Sequence, residues 1–150
     1  AEVLRQELRR TRPMYAGVAG LLRQWSADVP LAVASGALRA EIDLVLGEAG
    51  LAGAIAVIVS ADDGLRTKPA PDPYLKALAL LERQAGVALD PARTVAIEDS
   101  RFGVESARAA GMRTVAVTTS FPPSAFAGAD LVAGGLPELT LETLDALCAQ

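Results

Sequence analysis

The sequence predicts an α/β fold, a parallel sheet with helices on both faces, and three observations lead to this prediction. Short apolar runs alternate with longer segments in which apolar residues recur every three or four positions. Apolar residues make up 51% of the 150 residues but aromatic residues 4%, so small aliphatic side chains must fill a closely packed core. No internal repeat or low-complexity tract interrupts the alternation. Strands that alternate with amphipathic helices are typical of a Rossmann-like parallel sheet.

Five short strands are predicted in order along the chain. Each is an apolar run bounded by polar or turn-forming residues, as expected of a strand buried in such a sheet. They cover residues 31–34, 55–59, 94–97, 114–117 and 131–132.

Helices are predicted between these strands and at both ends of the chain. They cover residues 2–12, 17–25, 37–49, 73–85, 100–110 and a last segment that begins at Leu141. Pro13 ends the first helix, because proline cannot continue a helical hydrogen-bond ladder. Glycines end three of the others, since glycine readily adopts the left-handed conformation that closes a helix. These glycines are Gly50, Gly86 and Gly111.

Two of these helices carry detailed expectations. The helix over 37–49 is expected to bury an apolar face made by Leu38, Ile42, Val45, Leu46 and Ala49. Asp72 is expected to cap the next helix, whose first residue would be Pro73. That helix is expected to bury a stripe made by Tyr74, Leu75, Leu78 and Leu81.

Composition excludes several classes of chemistry. The net charge is −4 and no basic run is present, which disfavours nucleic-acid binding. Cys148 is the one cysteine, so an internal disulfide and a thiolate metal cluster are both excluded, and we expect this thiol to be inert. The absence of histidine removes Ser-His-Asp triads and histidine metal sites from these residues. Chemistry within this chain must therefore use carboxylates, lysine, serine and bound ions.

We find no targeting signal in the sequence of these residues. Its longest apolar stretch, residues 51–61, is too short to cross a bilayer, and the charged N-terminus is unlike a signal peptide. A cytoplasmic location is therefore the default expectation. The chain begins without Met and already in a helical pattern, which predicts a start in mid-structure.

Polar residues that follow the predicted strands are candidates for a site by position, because ligands bind beyond the carboxyl ends of parallel strands. These residues are Ser35, Asp62, Asp63, Glu98, Asp99, Thr118 and Thr119. Asp62 and Asp63 precede a glycine and are interpreted as turn residues. Thr118 and Thr119 are interpreted as a strand end, while Arg39 and Arg101 are expected to be solvated helix-surface charges.

Glu98 and Asp99 stand side by side where a buried strand meets a helix. Adjacent carboxylates repel each other, and burying either charge is costly without a partner. Asp99 or Ser100 could cap the following helix, but capping does not explain a second carboxylate in the same crevice. Oxygen ligands at this position favour Mg²⁺.

Ser35 and Lys68 are candidates for holding an anion. Ser35 fits two roles equally, a helix N-cap or, with Gly36 and a helix N-terminus, part of a phosphate cradle. Lys68 lies in a loop, where a solvated charge is the ordinary expectation. Pro69 and Pro71 stiffen that loop, however, and would hold the ammonium group in one place.

Three motifs in order resemble those of the haloacid dehalogenase superfamily of phosphotransferases. "VASGALRAEIDLVL" resembles its second motif, "TKPAPDPYLKAL" its third and "VAIEDSRFGVESARAAGM" its fourth. The residues of these motifs are most similar to those of the β-phosphoglucomutase-like subgroup. The resemblance runs from about Pro13 to Leu139. It implies that Ser35, Gly36 and Lys68 bind the phosphoryl group and that Ser35 and Lys68 serve catalysis. It also implies that Glu98 and Asp99 hold Mg²⁺.

The chain departs from the family pattern at its N-terminus. The first motif, a strand ending in Asp-x-Asp that supplies the nucleophile and the general acid and base, has no counterpart in these residues. The resemblance therefore implies that residues 1–12 are the end of a cap or its return linker. Residues 13–150 would be a partial core that lacks its first strand, a strand that lies between those leading to Ser35 and to Glu98.

The predicted function is that of a Mg²⁺-dependent phosphatase of small phosphorylated metabolites, such as sugar phosphates. The resemblance implies an aspartyl-phosphate intermediate whose Asp lies upstream, so the fragment alone is expected to be inactive. The alternatives are a phosphomutase of the β-phosphoglucomutase type and a non-catalytic binding protein on the same fold. A signalling receiver domain is disfavoured because its lysine follows the acidic pair, whereas Lys68 precedes it. We expect no nucleic-acid or membrane partner and a monomer or weak dimer.

Overall fold

The computed structural model of the chain describes residues 17–150. The helix expected over residues 2–12, together with its assignment as cap or linker, lies outside the described residues. Internal contacts divide the chain into two compact units, with the division between Gly64 and Leu65.

The described part of the first unit, residues 17–64, contains two parallel strands and two long helices. Helix α1 covers residues 17–26, β1 Ala32–Ala34, α2 Arg39–Glu48 and β2 Val57–Val59. β1 pairs with β2 in parallel, with Ala32 opposite Val57. The buried core of this unit brings together residues of both helices and the turn after α2, namely Ala19, Ile42, Leu46 and Leu51. The elements predicted between residues 17 and 64 are confirmed, with ends that differ by a few residues.

Helix α2 is shorter than expected, which changes the environment of Leu38. The helix begins at Arg39, so Leu38 is its N-cap residue with an extended backbone, and 51% of Leu38 is exposed. The expectation that Leu38 belongs to the buried face is therefore wrong, because helical periodicity does not extend to a residue outside the helix. Ile42 and Leu46 are buried as predicted, and Gly50 ends this segment with a positive φ of 69°.

The second unit contains three parallel strands and three helices. These are α3 Asp72–Ala85, β3 Val95–Glu98, α4 Arg101–Ala109, β4 Arg113–Val117, β5 Leu131–Ala133 and α5 Leu141–Cys148. The strands pair in the order β3-β4-β5, and β4 between them contains the fully buried Val115 and Ala116. This unit confirms the predicted alternation, including the glycines that follow α3 and α4.

Helix α3 differs from its expectation at both Asp72 and Leu75. Asp72 is the first helical residue rather than the cap, Pro71 occupies the N-cap position, and no side chain caps the helix. Asp72 is engaged elsewhere, since its carboxylate accepts two hydrogen bonds from the Arg66 guanidinium at 2.9 and 3.1 Å. Tyr74 and Leu78 are buried as predicted, but Leu75 is 48% exposed and lies outside the buried stripe.

The strands form two sheets in the described part of the chain, β1-β2 and β3-β4-β5. The strands that lead to Ser35 and to Glu98, β1 and β3, belong to different sheets. All strand pairs are parallel, which confirms the predicted class. No helix among residues 17–150 is both long and apolar enough to cross a membrane.

Candidate active site

Glu98 is a buried carboxylate at the carboxyl end of β3. It pairs in register with Ala116 of β4, and 8% of the residue is exposed. Its Oε1 accepts hydrogen bonds from the ammonium group of Lys68 and from the hydroxyl group of Tyr74. A buried carboxylate is stable when a cation and further donors satisfy it, and Glu98 has both. In this structure the cation beside Glu98 is therefore Lys68.

The first turn of α4 is shaped to admit the Glu98 side chain. A Cβ atom added at Gly103 would lie 2.0 Å from Oε2 of Glu98, so a larger residue at this position would displace the carboxylate. Ser100 caps the helix with its side chain, which accepts a hydrogen bond from the backbone N–H of Gly103 at 3.1 Å. The capping role considered for Ser100 is thereby confirmed. The short turn from β3 into α4 brings the helix N-terminus directly against Glu98.

Lys68 is carried by a loop that is fixed at several points. The backbone N–H of Ala70 in this loop donates to the Thr67 carbonyl at 3.0 Å. The Lys68 side chain is 21% exposed, and its Nζ lies 5.0 Å from the centroid of the Tyr74 ring. A cation at that distance from an aromatic face is attracted by the ring quadrupole. Lys68 is therefore a positioned charge rather than a freely solvated one.

Tyr74 is the second donor to Glu98, and its surroundings keep it protonated. Burial raises the pKa of Tyr74 well above its usual range, and the negative charge of Glu98 raises it further. The hydroxyl group thus remains a neutral donor at neutral pH. Tyr74 was expected only as a core residue of α3, whereas it also holds the carboxylate of the candidate site.

Asp99 differs from Glu98 in both exposure and partner. The residue is exposed, and its Oδ2 accepts a hydrogen bond from the Ser120 hydroxyl at 3.0 Å. Ser120 follows β4, so two neighbouring strand ends of one sheet supply this contact. The two adjacent carboxylates therefore have different environments, one paired with an internal cation and the other facing water beside a hydroxyl group.

Ser35 lies at the carboxyl end of β1 in the first unit. Its backbone N–H donates to the Val59 carbonyl at 3.0 Å, and its Oγ accepts from the backbone N–H of Ala37 at 3.1 Å. Ser35 is not the N-cap of α2, because Leu38 occupies that position. A Cβ atom built on Gly36 would meet nothing within 4 Å, so open space surrounds this backbone.

Two donors at the start of α2 already have carboxylate partners. The backbone N–H of Leu38 donates to Glu41 at 3.0 Å, and that of Arg39 donates to Asp62 at 2.7 Å. Two of the N–H groups that were expected to be free at this helix N-terminus are therefore engaged by carboxylates of the chain itself. At the carboxyl end of β1, the groups that could contact an anion are the Ser35 hydroxyl and the accessible backbone of Gly36.

The structure brings together Lys68, Glu98 and Asp99 in the second unit and places Ser35 with Gly36 at a strand end of the first. The other candidates have structural roles: Asp63 accepts from the Ser60 backbone N–H at 2.7 Å in the expected turn, and Thr118 extends β4 by bonding to Ala133. Among residues 17–150 no three acidic or thiol side chains gather as a complete metal cluster.

Three residues that support the site were not singled out from the sequence as site residues. They are Tyr74, Ser120 and also Ser106, whose hydroxyl donates to the Ala70 carbonyl in the loop that carries Lys68. A tyrosine on a buried helix stripe has a hydroxyl group that needs a hydrogen-bond partner. A serine among the alanines of α4 is also expected to be buried and to need such a partner. For Ser120 no comparable signal exists, because it lies in an exposed loop after β4.

Comparison with known proteins identifies the family. The sequence profile of the haloacid dehalogenase-like hydrolases matches residues 2–117. Protein CbbY of Rhodobacter capsulatus is 40% identical over 109 residues, which are 70% of this chain and 45% of that protein. Fructose-1-phosphate phosphatase YqaB of Escherichia coli (strain K12) is 36% identical over 97 residues, which are 65% of this chain and 48% of that enzyme.

A solved structure supports the same conclusion. CbbY of Rhodobacter sphaeroides in complex with phosphate matches with a TM-score of 0.72 and 32% identity, covering 86% of this chain and 57% of that one. A mutant of the same protein in complex with xylulose-1,5-bisphosphate matches equally well. The chain belongs to the haloacid dehalogenase-like hydrolase family, and a putative β-phosphoglucomutase from Thermotoga maritima, a structural match with 30% identity, confirms the narrower resemblance. It spans about half the length of the curated relatives it matches.

Proposed function

We propose that the chain is part of a Mg²⁺-dependent phosphatase that acts on small phosphorylated metabolites. The observation that carries this proposal is the pairing of Lys68 with buried Glu98, next to exposed Asp99, at the carboxyl end of β3. A fixed cation beside a carboxylate that faces water suits a reaction in which a phosphate anion meets an anionic nucleophile. The aspartate nucleophile, and with it the aspartyl-phosphate intermediate, would come from the segment upstream of this chain.

Sugar phosphates are the substrate class that the relatives support best. YqaB is named as a fructose-1-phosphate phosphatase, and CbbY was solved with phosphate and with a pentulose bisphosphate. The two sugar phosphates among these are small polar molecules that carry a phosphate monoester. A phosphate monoester of a sugar is accordingly the substrate class that we assign to the site.

Lys68 would bind the phosphoryl oxygens and stabilise the charge that develops on them. Its ammonium group is held by Glu98 and by the face of the Tyr74 ring, so little side-chain reorganisation is needed when the substrate arrives. Ser35 would supply a hydroxyl donor, and the open backbone at Gly36 would admit a phosphoryl oxygen close to the chain.

Glu98 and Asp99 fit the magnesium ion that the family implies. Both are hard oxygen donors, which is what Mg²⁺ prefers, and Mg²⁺ is commonly held by one or two carboxylates together with water and phosphate. Asp99 offers the accessible carboxylate, while Oε1 of Glu98 already accepts from two donors. We therefore propose Asp99 as the more direct ligand and Glu98 as the contributor of negative charge behind it. The bound ion would neutralise nucleophile and phosphate so that two anions can meet.

A phosphomutase is the second candidate, and the β-phosphoglucomutases among the structural matches favour it. The same phosphoryl-binding residues would serve both reactions, and the acceptor, water or a sugar hydroxyl, would differ. A non-catalytic protein on the same fold would keep phosphate binding without turnover. In each case we propose a cytoplasmic protein without nucleic-acid or membrane partners that is a monomer or a weak dimer.

Product analysis on the full-length protein tests these candidates. The protein, including its upstream segment, is incubated with fructose 1-phosphate, glucose 1-phosphate and a pentulose phosphate, with Mg²⁺ or with EDTA. A phosphatase releases inorganic phosphate in the presence of Mg²⁺ and not with EDTA, whereas a mutase yields an isomeric sugar phosphate. Absence of both products across a broad panel of phosphate monoesters would contradict the proposal and leave the binding protein.

A further inference from the structure

Ser106 carries a fully buried hydroxyl on helix α4. The residue is fully buried. Its Oγ donates a hydrogen bond of 2.6 Å to the backbone carbonyl of Ala70, which lies 36 positions earlier in the chain. Ala107 beside it is equally buried and has no polar side-chain atom. A buried hydroxyl costs free energy unless it is bonded, so the contribution of Ser106 to this helix is the bond that it makes.

That bond fastens the loop that carries Lys68. Pro69 and Pro71 flank Ala70 and have no backbone N–H to donate, and the N–H of Ala70 donates within the loop, to Thr67. At its base the loop is closed on the surface by the Arg66–Asp72 ion pair, an exposed contact of the kind that stabilises little. Ser106 thus connects the backbone two residues after Lys68 to the helix that also packs against Glu98.

The other end of Lys68 is fixed through Glu98. Its ammonium group and the Tyr74 hydroxyl donate to the same oxygen, Oε1 of Glu98. The Tyr74 hydroxyl therefore restricts the carboxylate that in turn holds the ammonium. A lysine has four side-chain torsions, and fixing both its backbone and its tip removes most of its conformational freedom before substrate binds.

We infer that Ser106 and Tyr74 are positioning residues for Lys68, the first through the backbone of the loop and the second through the shared oxygen of Glu98. Neither is required to touch the substrate. Their effect is to place the Lys68 ammonium where charge develops during phosphoryl transfer. This inference rests on the proposed phosphatase function.

The test is a double-mutant cycle in the full-length enzyme with p-nitrophenyl phosphate and saturating Mg²⁺. Ser106→Ala and Tyr74→Phe each delete one oxygen atom, and each is expected to lower kcat about tenfold with KM changed less than about twofold. In a Lys68→Ala background the same two substitutions should have no further effect on kcat, because the group that they position is gone. Inhibition by inorganic phosphate is measured alongside as a binding readout and should weaken in Lys68→Ala.

Thr114→Val is the matched control, since it also deletes a fully buried hydroxyl of this unit. That hydroxyl bonds with Asp130 at 3.2 Å, at the amino end of β4 and away from the Lys68 loop. Denaturation midpoints show that the variants fold, and Thr114→Val should lower stability without lowering kcat. If Ser106→Ala and Tyr74→Phe behave like Thr114→Val, or if their losses add fully to that of Lys68→Ala, the positioning role is refuted. Unchanged turnover in Lys68→Ala itself would instead contradict the proposed function.

Discussion

Lys68 and Glu98 form an ion pair that is largely withdrawn from water, with 21% and 8% of their side chains exposed. The sequence shows adjacent carboxylates at positions 98 and 99, and mutual repulsion would be the first expectation for them. The structure instead gives Glu98 an internal cation, thirty positions earlier in the chain. The negative charge of Glu98 therefore contributes to the stability of the fold as well as to the candidate site.

The two adjacent carboxylates should differ in their contribution to stability. Glu98→Ala leaves the Lys68 ammonium and the Tyr74 hydroxyl without their acceptor, and removal of one partner from a buried pair costs about 3 kcal/mol. Asp99→Ala removes an exposed group, and we expect a change near zero. Urea denaturation of the two variants measures this difference, and equal stabilities would contradict the assignment of Glu98 as a buried, paired carboxylate.

Lys68 should act on the chemical step more than on substrate binding. A cation that meets charge developing on the phosphoryl oxygens stabilises the transition state more than the ground state, so Lys68→Ala should lower kcat at least about a hundredfold. Steady-state kinetics with p-nitrophenyl phosphate separate kcat from KM. Arg66→Ala is the control, because it removes an exposed cation from the same loop. A raised KM with unaltered kcat would mark Lys68 as a plain binding residue.

Ser120 should influence the affinity for Mg²⁺ through Asp99. Its hydroxyl donates to Oδ2 of Asp99 at 3.0 Å, and groups that orient a metal ligand commonly affect metal affinity by about tenfold. Ser120→Ala is therefore expected to raise the Mg²⁺ concentration needed for half-maximal turnover while kcat at saturating Mg²⁺ stays within about twofold. Ser124→Ala, in the same loop region, serves as the control. An unchanged Mg²⁺ titration in Ser120→Ala would show that this hydrogen bond has no such role.

Cys148 should react slowly with alkylating agents at neutral pH. Burial raises the pKa of its thiol, and the nearby charge of Asp145 raises it further. Because the thiolate is the reactive form, the rate of alkylation at pH 8 should be below that of a free cysteine and should increase as the pH rises. Asp145→Asn removes one cause of the raised pKa and should speed the reaction at pH 8. Mass-spectrometric alkylation kinetics with iodoacetamide provide the measurement, and a fast, pH-independent reaction would be inconsistent with this picture.

Residues 1–150 alone should not hydrolyse phosphate esters. This follows from the proposal that the nucleophilic aspartate is supplied by an upstream segment, since the residues proposed to bind phosphate include no nucleophile. Phosphate release by the purified fragment, compared with that of the full-length protein, is the test. Mg²⁺-dependent turnover by the fragment would overturn the proposed mechanism.

The sequence predicts elements and strand-end residues well because these depend on local signals. Periodicity locates the helices, and Glu98 and Asp99 follow a strand whose apolar run is unmistakable. Predicted helix ends are wrong where a contact with another residue competes with capping. At Asp72 the carboxylate accepts hydrogen bonds from Arg66 and does not cap α3. Leu75 was predicted to be buried but is exposed. Helical periodicity predicts which face of α3 is apolar, but it does not predict how much of that face the rest of the protein covers.

Partners in the site are harder to predict because they come from distant positions. The Tyr74 and Ser106 hydroxyls can be suspected of needing acceptors, yet nothing in the sequence indicates that these acceptors are Glu98 and the Ala70 carbonyl. The choice depends on how α3 and α4 pack against the Lys68 loop. For the same reason the internal cation beside Glu98 is visible only in the folded chain.

The Mg²⁺ dependence of phosphate release by the full-length protein, compared between the native enzyme and Asp99→Asn, tests the central claim most directly. Asp62→Asn is the matched control, because Asp62 is an exposed aspartate whose contact is with the backbone of Arg39. If Asp99 helps to hold the metal, Asp99→Asn should lose about a hundredfold or more in turnover at physiological Mg²⁺, and Asp62→Asn should retain the native titration curve. A native Mg²⁺ titration and native turnover in Asp99→Asn would contradict the account.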